Sequence, residues 1–270
     1  MAMLGINAAN RVLLTTLHRR FSRPFSVVEA SAALAVPPDR ARKLLGHLAS
    51  RGWLARIKRG IYSTVPLDAT QPQEWRADPW VTAAVMFAPC YLGGWTAAEH
   101  WSLTEQLFRD IIVVTQRRVR HRTIEIQQNR LLLKVISPEK MFGTKPVWRG
   151  QNRIEVSDPT RTVVDILDEP RIGGGIRHCA EVLSAYFASN HRDEKLLVEY
   201  TFRVQNHAVF KRLGYLAEVL HVGTPELIEL CRKNISAGVS ALDPSIRSSG
   251  HIVNRWNLRV NAAIDLPRPS

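Results

Sequence analysis

Apolar positions recur at helical spacing three times within the first fifty residues and then give way to strand-like runs. In residues 7–20, NAANRVLLTTLHRR, Val12, Leu13 and Leu17 fall on one face of a first helix. Ser26 stands where an N-cap belongs, ahead of Val27, Ala30, Ala33 and Leu34. Val36-Pro37-Pro38 then stops that helix and starts another, Pro38 suiting the first helical position because its missing N–H has no partner there anyway. In this third helix Ala41, Leu44, Leu45 and Leu48 share a face, and Arg42, Lys43, Gly46 and His47 take the opposite one. Gly52 supplies the C-terminal stop. Residues 53–57 and 61–65 read as two strands joined by Lys58-Arg59-Gly60, with the glycine providing the positive φ of the turn. Three helices and a hairpin in this order predict a winged helix-turn-helix.

Periodicity lapses over PLDATQPQEWRADP, residues 66–79, which reads as a linker. The chain thus divides into residues 1–70, a linker at 71–79 and a second domain over 80–270. Asp78-Pro79 opens a helix whose body, WVTAAVMFA, is apolar enough to be buried. In CYLGGWTAAEHW, residues 90–101, Thr96 and Glu99 have the spacing of a capping box, and Gly93 and Gly94 set backbone beside Tyr91, Trp95 and Trp101. DIIVVTQ, RTIEIQ, RLLLKVIS and NRIEVS read as strands. Asp158 caps and Pro159 opens a helix with Val163, Val164 and Leu167 inward, and Arg161 and Asp165, at i and i+4, read as a surface ion pair worth a few tenths of a kcal/mol. Gly173-Gly174-Gly175 lacks the Lys-Ser/Thr of a phosphate loop and reads as a flexible turn. Helices continue to about residue 235, and GHIVNRWNLRVN is expected as a final strand that either closes the sheet or lies on the surface. The fold class is α+β: a winged helix-turn-helix followed by a larger mixed α/β domain.

Charge gives the first domain its chemistry. The 270 residues carry a formal charge of +13, and residues 1–70 hold eleven Lys/Arg against three Asp/Glu. Such an excess points to a polyanion, and nucleic acid fits better than membrane because no apolar run approaches the roughly 20 residues a spanning helix needs. Arg42, Lys43 and His47 are expected at base edges or phosphates, with Arg40 at the flank. Gly46, which costs a helix roughly 1 kcal/mol against alanine, would let the backbone approach a groove. Arg56, Lys58, Arg59 and Tyr62 are expected to grip the DNA backbone from the hairpin, and Arg19, Arg20 and Arg23 could add phosphate contacts. Arg117, Arg118, Arg120 and Arg122 form a second basic patch, either a solvated loop or a phosphate contact. Cys90, Cys179 and Cys231 are few and far apart, which suggests buried thiols in a reducing cytoplasm. Residues 1–10 show no signal-peptide pattern.

No catalytic residue, metal or cofactor is expected. The best nuclease-like feature is Asp193-Glu194-Lys195, but such sites usually place the triplet on a strand with another carboxylate nearby, whereas here it follows SNHR at an apparent helix start. No HExxH, paired-cysteine, GxSxG or Walker motif occurs. The phrases GWLARIKRGIYSTVP, YLGGWTAAEHWSL, SPEKMFG, VSDPTRTVVDIL and FKRLGYLAE, in this order after a winged domain, resemble the AbiEi-type antitoxins, transcriptional regulators of type IV toxin-antitoxin systems in bacteria. The resemblance implies an N-terminal domain that binds inverted repeats of operator DNA and represses its own operon. It also implies a C-terminal domain that counters a nucleotidyltransferase toxin, with or without touching it. Its motif residues here are Gly93, Gly94, Trp95, Glu99, Asp158, Arg161, Lys211 and Arg212. A plain repressor with an effector-binding or dimerisation domain, and a DNA-targeted nuclease, are the alternative readings.

Overall fold

The computed structural model describes residues 7–66, 69, 74–247 and 249–264. Much of the expected linker (67, 68 and 70–73) and the first six residues lie outside them. Helix α1 (Ala8–Arg20) is capped by the Asn7 side chain, which accepts the Asn10 N–H at 2.7 Å. Its buried face is Leu14 and Leu17, whereas Val12, expected inward, is 66% exposed. Strand β1 (Phe25–Ser26) leads directly into α2 (Val27–Leu34), where Ser26 and Glu29 form a reciprocal capping box. Burial pushes the Glu29 carboxyl up, but hydrogen bonds from Ser26 and Arg23 outweigh it and hold the group below its ordinary value. Helix α3 (Pro38–Ser50) starts at Pro38 as expected and buries Ala41, Leu45 and Leu48. Strands β2 (Leu54–Lys58) and β3 (Ile61–Thr64) pair antiparallel, with an irregularity between Arg56 and Lys58. The turn between them is Arg59-Gly60, one residue shorter than expected, with Gly60 at φ +82°. The small sheet runs β1-β3-β2, so β3 is its central strand.

A six-stranded mixed sheet organises the larger region. After α4 (Pro79–Phe87), capped by Asp78, come β4 (Cys90–Leu92), α5 (Gly94–His100), β5 (Ile111–Thr115), β6 (Thr123–Ile126), β7 (Asn129–Val135), β8 (Thr144–Arg149) and β9 (Asn152–Ser157). The strand order is β6-β7-β5-β4-β9-β8. One face buries Leu92, Val113, Leu131, Leu133 and Val156 under Ala83, Met86 and Phe87 of α4. Ile57 belongs to the same cluster and Ile61 packs against it, so the β2–β3 hairpin is seated on this core. On the other face Tyr91, Ile112, Val114 and Leu132 meet Trp95 and Ile172.

Beyond the sheet, α6 (Pro159–Asp168), α7 (Ile176–Ala188), α8 (Glu194–Val204), α9 (His207–Val219) and α10 (Pro225–Lys233) build a helical core. The tail forms neither one strand nor part of the main sheet. It contributes β10 (Ser240–Ala241), β11 (His251–Val253) and β12 (Leu258–Val260), a separate sheet in the order β10-β12-β11. Trp256, between β11 and β12, is buried against α9 at Gly214, where an added Cβ would lie 2.1 Å from its ring.

Two sequence expectations about α5 and α6 are corrected. The Thr96–Glu99 capping box does not form, because α5 starts at Gly94 and the Thr96 hydroxyl accepts the Ile112 N–H at 2.9 Å instead. The early start follows from Gly94, at φ +55° and so close to the Ile172 carbonyl that a Cβ would sit 2.4 Å from its oxygen. The Arg161–Asp165 pair is not on the surface, since α6 is covered on every side and Arg161 is only 1% exposed. Arg161 Nε donates to Asp165 Oδ1 at 3.0 Å and its Nη2 to the Tyr91 hydroxyl at 3.1 Å, while that hydroxyl donates to Asp165 Oδ2 at 2.8 Å. The Phe142 ring lies 4.0 Å from the guanidinium carbon. Asp165→Ala would strand a buried guanidinium, so urea denaturation should show a loss of about 3–5 kcal/mol; a loss under about 1 kcal/mol would mean that Arg161 finds other partners.

Candidate nucleic-acid interface

The outer face of α3 carries Arg40, Arg42, Lys43 and His47, all exposed. Arg51, which the sequence reading passed over, continues this stripe at the helix end and is also exposed. Its signal was the helical period itself, one further turn past His47. Arg42 pairs with Asp39 at 2.7 Å, but both side chains are solvated, so exchanging that carboxylate for another anion costs little. At Gly46 an added Cβ would meet nothing within 4 Å. Packing within the chain therefore does not call for glycine there, and the position leaves an open surface between Arg42 and His47.

From the hairpin, Arg56, Lys58 and Arg59 are exposed. Tyr62 is not with them. It is 4% exposed and lies in the core beside Phe25, its cross-strand partner on β1. Among the earlier basic residues, Arg19 and Arg20 are exposed, and Arg23 is committed to Glu29 at 2.7 Å and to the Pro24 carbonyl at 3.0 Å.

The second basic patch lies beside the first. Val119 packs against the cluster that contains Ile57, and the Arg117 guanidinium donates to the Met86 carbonyl at 2.6 Å. Partial burial lowers the Lys58 ammonium from its ordinary value, and the charge of Arg117 lowers it further. Two cations about sixty positions apart in sequence are thus neighbours. Arg117, Arg118, Arg120 and Arg122 are all exposed, and among the described residues none of them, nor Lys58 or Arg59, has a carboxylate partner.

The motif residues of the larger region are mostly interior. Gly93 and Gly94 set the start of α5, and Trp95 stacks on Phe108 at 4.6 Å while its indole N–H donates to the Asp110 carbonyl at 2.7 Å. Asp158 caps α6 through the Arg161 N–H and accepts the Tyr200 hydroxyl at 3.0 Å. Lys211 donates to Gly238 and Ser240, and Arg212 donates to the carbonyls of Leu167, Asp168, Ala241 and Leu242. Both cations tie the C-terminal segment to α9, and Arg212 also ties it to α6. Glu99 alone of the group is exposed. In the Asp193-Glu194-Lys195 triplet the two carboxylates serve the structure, with Asp193 capping α8 and Glu194 accepting from Thr224 at 2.7 Å, while Lys195 is exposed. Burial pushes the Cys90 and Cys231 thiols up to about 12, far from a reactive thiolate.

Residues 12–65, from within α1 to just past β3, match the family described as "Transcriptional regulator, AbiEi antitoxin". The match is confined to the N-terminal unit, and the transcriptional-regulator class of the matched family implies DNA binding. No curated protein matches the chain. Among the described residues no helix is long and apolar enough to cross a membrane.

Seating of the hairpin on the large core makes a simple prediction. Ile57→Ala should cost about 2–4 kcal/mol in chemical denaturation. Lys58→Met, which removes one of two neighbouring like charges, should be neutral or stabilising by a few tenths of a kcal/mol. The reverse ranking would show that the hairpin is not docked.

Proposed function

From the match of residues 12–65 to the AbiEi antitoxin family of transcriptional regulators, we propose that the chain is an operator-binding antitoxin that represses its own toxin-antitoxin operon. The proposed division of labour follows residues 1–70, a linker at 71–79, and residues 80–270. Arg40, Arg42, Lys43 and His47 enter or border the major groove, and Arg56, Lys58 and Arg59 hold phosphates from the hairpin. Arg117, Arg118, Arg120 and Arg122 extend the same surface along the duplex. The observation that carries this reading is the gathering of exposed cations, among the described residues without carboxylate partners except for Arg42, on one helix face, one hairpin and one neighbouring loop. Such a surface gains by releasing counterions from DNA, and its own repulsion is relieved when phosphates arrive.

The larger region is assigned the second task, countering a nucleotidyltransferase toxin encoded in the same operon. The order of the motif phrases supports this assignment. Their residues act by holding the fold: Arg161, Lys211 and Arg212 are buried and hydrogen-bonded, so their loss would impair antitoxicity through unfolding.

Testing requires a variant that separates the two tasks in the full chain. Lys43→Ala combined with Arg59→Ala removes two surface charges and no core contact. It should weaken binding to the promoter fragment by about tenfold or more and derepress a reporter, since each phosphate contact contributes on the order of 1 kcal/mol. The same variant should still rescue growth when the toxin is co-expressed. Rescue lost together with repression would leave only transcriptional control, and no rescue even by the unaltered chain would make this a plain repressor.

A further inference from the structure

A cleft of about 690 Å³ lies between the N-terminal unit and the sheet, and its lining includes none of the cations of α3, the hairpin or the 117–122 loop. One wall is the exit of α1, with Arg20 and Arg23, and the other is the start of β9, with Asn152 and Arg153. Val81, Ala84 and Val85 of α4, with Ile154 of β9, provide an apolar floor. The walls are linked at one edge, where Asn152 Nδ2 donates to the Ser22 carbonyl at 3.1 Å.

The charges at the rim are unbalanced. Glu29 is the carboxylate in the lining, and its oxygens already receive Arg23 at 2.7 Å and the Ser26 N–H at 2.8 Å. Arg153 leans on Glu155 at 2.9 Å but remains largely solvated. Arg20 is exposed and has no carboxylate partner among the described residues. The side-chain amide of Gln151 adds a neutral donor. An apolar floor beneath cations from opposite walls suits a molecule with an apolar body and one anionic head, and the volume falls in the range of small-molecule sites.

We propose that this cleft is an effector site for a small amphipathic organic anion, a carboxylate or sulfonate on an aromatic or aliphatic body. The head group lies between Arg20 and Arg153, and the body covers Ala84 and Val85. A ligand seated there touches both units at once, so its occupancy is coupled to how the DNA-reading unit sits on the sheet. The site stands independently of the toxin assignment and of the operator sequence.

The test uses the full chain and the fluorescent probe 8-anilinonaphthalene-1-sulfonate, which has the required apolar body and single anionic head. Its emission should rise and saturate with one equivalent bound. Arg20→Ala and Arg153→Ala, both at solvated positions where folding is not at stake, should each weaken binding by about tenfold, the effect of losing one charge-assisted contact. Ala84→Trp should abolish binding by filling the floor. Failure to saturate, or equal affinity in the two arginine variants and the wild type, would overturn the proposal.

Discussion

One apolar contact determines where the basic surface is. Ile57 leaves the hairpin and enters the core formed by Ala83, Phe87 and Val113, and Val119 packs on the same cluster. This seating brings Lys58 beside Arg117. Burying an isoleucine is worth about 1.5–3 kcal/mol. Two solvated unit charges repel by about 1 kcal/mol even at 4 Å in water, and by less when further apart. Packing therefore wins over repulsion, and the hairpin and the 117–122 loop stay together although, among the described residues, no carboxylate pairs with Lys58 or Arg117. The surface is preorganised for a polyanion before one arrives.

The larger region rests on a different device. Arg161, Asp165 and Tyr91 exchange hydrogen bonds in the interior, and the guanidinium also faces Phe142. Burial alone would disfavour the charge on Arg161, but Asp165 and Tyr91 reverse that and hold it more firmly protonated than usual. Lys211 and Arg212 repeat the idea with backbone carbonyls, and for Lys211 also the Ser240 hydroxyl, in place of carboxylates. Cations used in this way fasten helices and the C-terminal segment together. They are unavailable for DNA, which explains why a high net charge is a poor guide to how many cations a ligand can meet.

How much of this was legible in the sequence depended on whether the determinant was local. The caps at Ser26, Asp78 and Asp158 and the prolines at 38, 79 and 159 mark real helix starts, because a cap acts within three or four residues. Tyr62 read as a surface residue because β1, only two residues long, leaves no periodic trace, yet Phe25 on that strand covers it. The strands β4 and β8 escaped for similar reasons, one being three residues long and the other interrupted by Pro146. Arg161 and Asp165 have the spacing of an exposed pair, and only tertiary packing around α6 makes them a buried one. The exposed cations of α3 and the hairpin were readable from amphipathic phase, whereas their proximity to Arg117 depends on a contact between distant segments.

The central claim is that a preorganised cationic surface binds duplex DNA through its phosphates. The most direct measurement is the salt dependence of promoter-fragment binding by the full chain, followed by fluorescence anisotropy over a range of potassium chloride concentrations. Neutralising five or more phosphates should give a log–log slope of about −4 or steeper. A slope near zero would contradict the account, because binding would then owe nothing to the surface described.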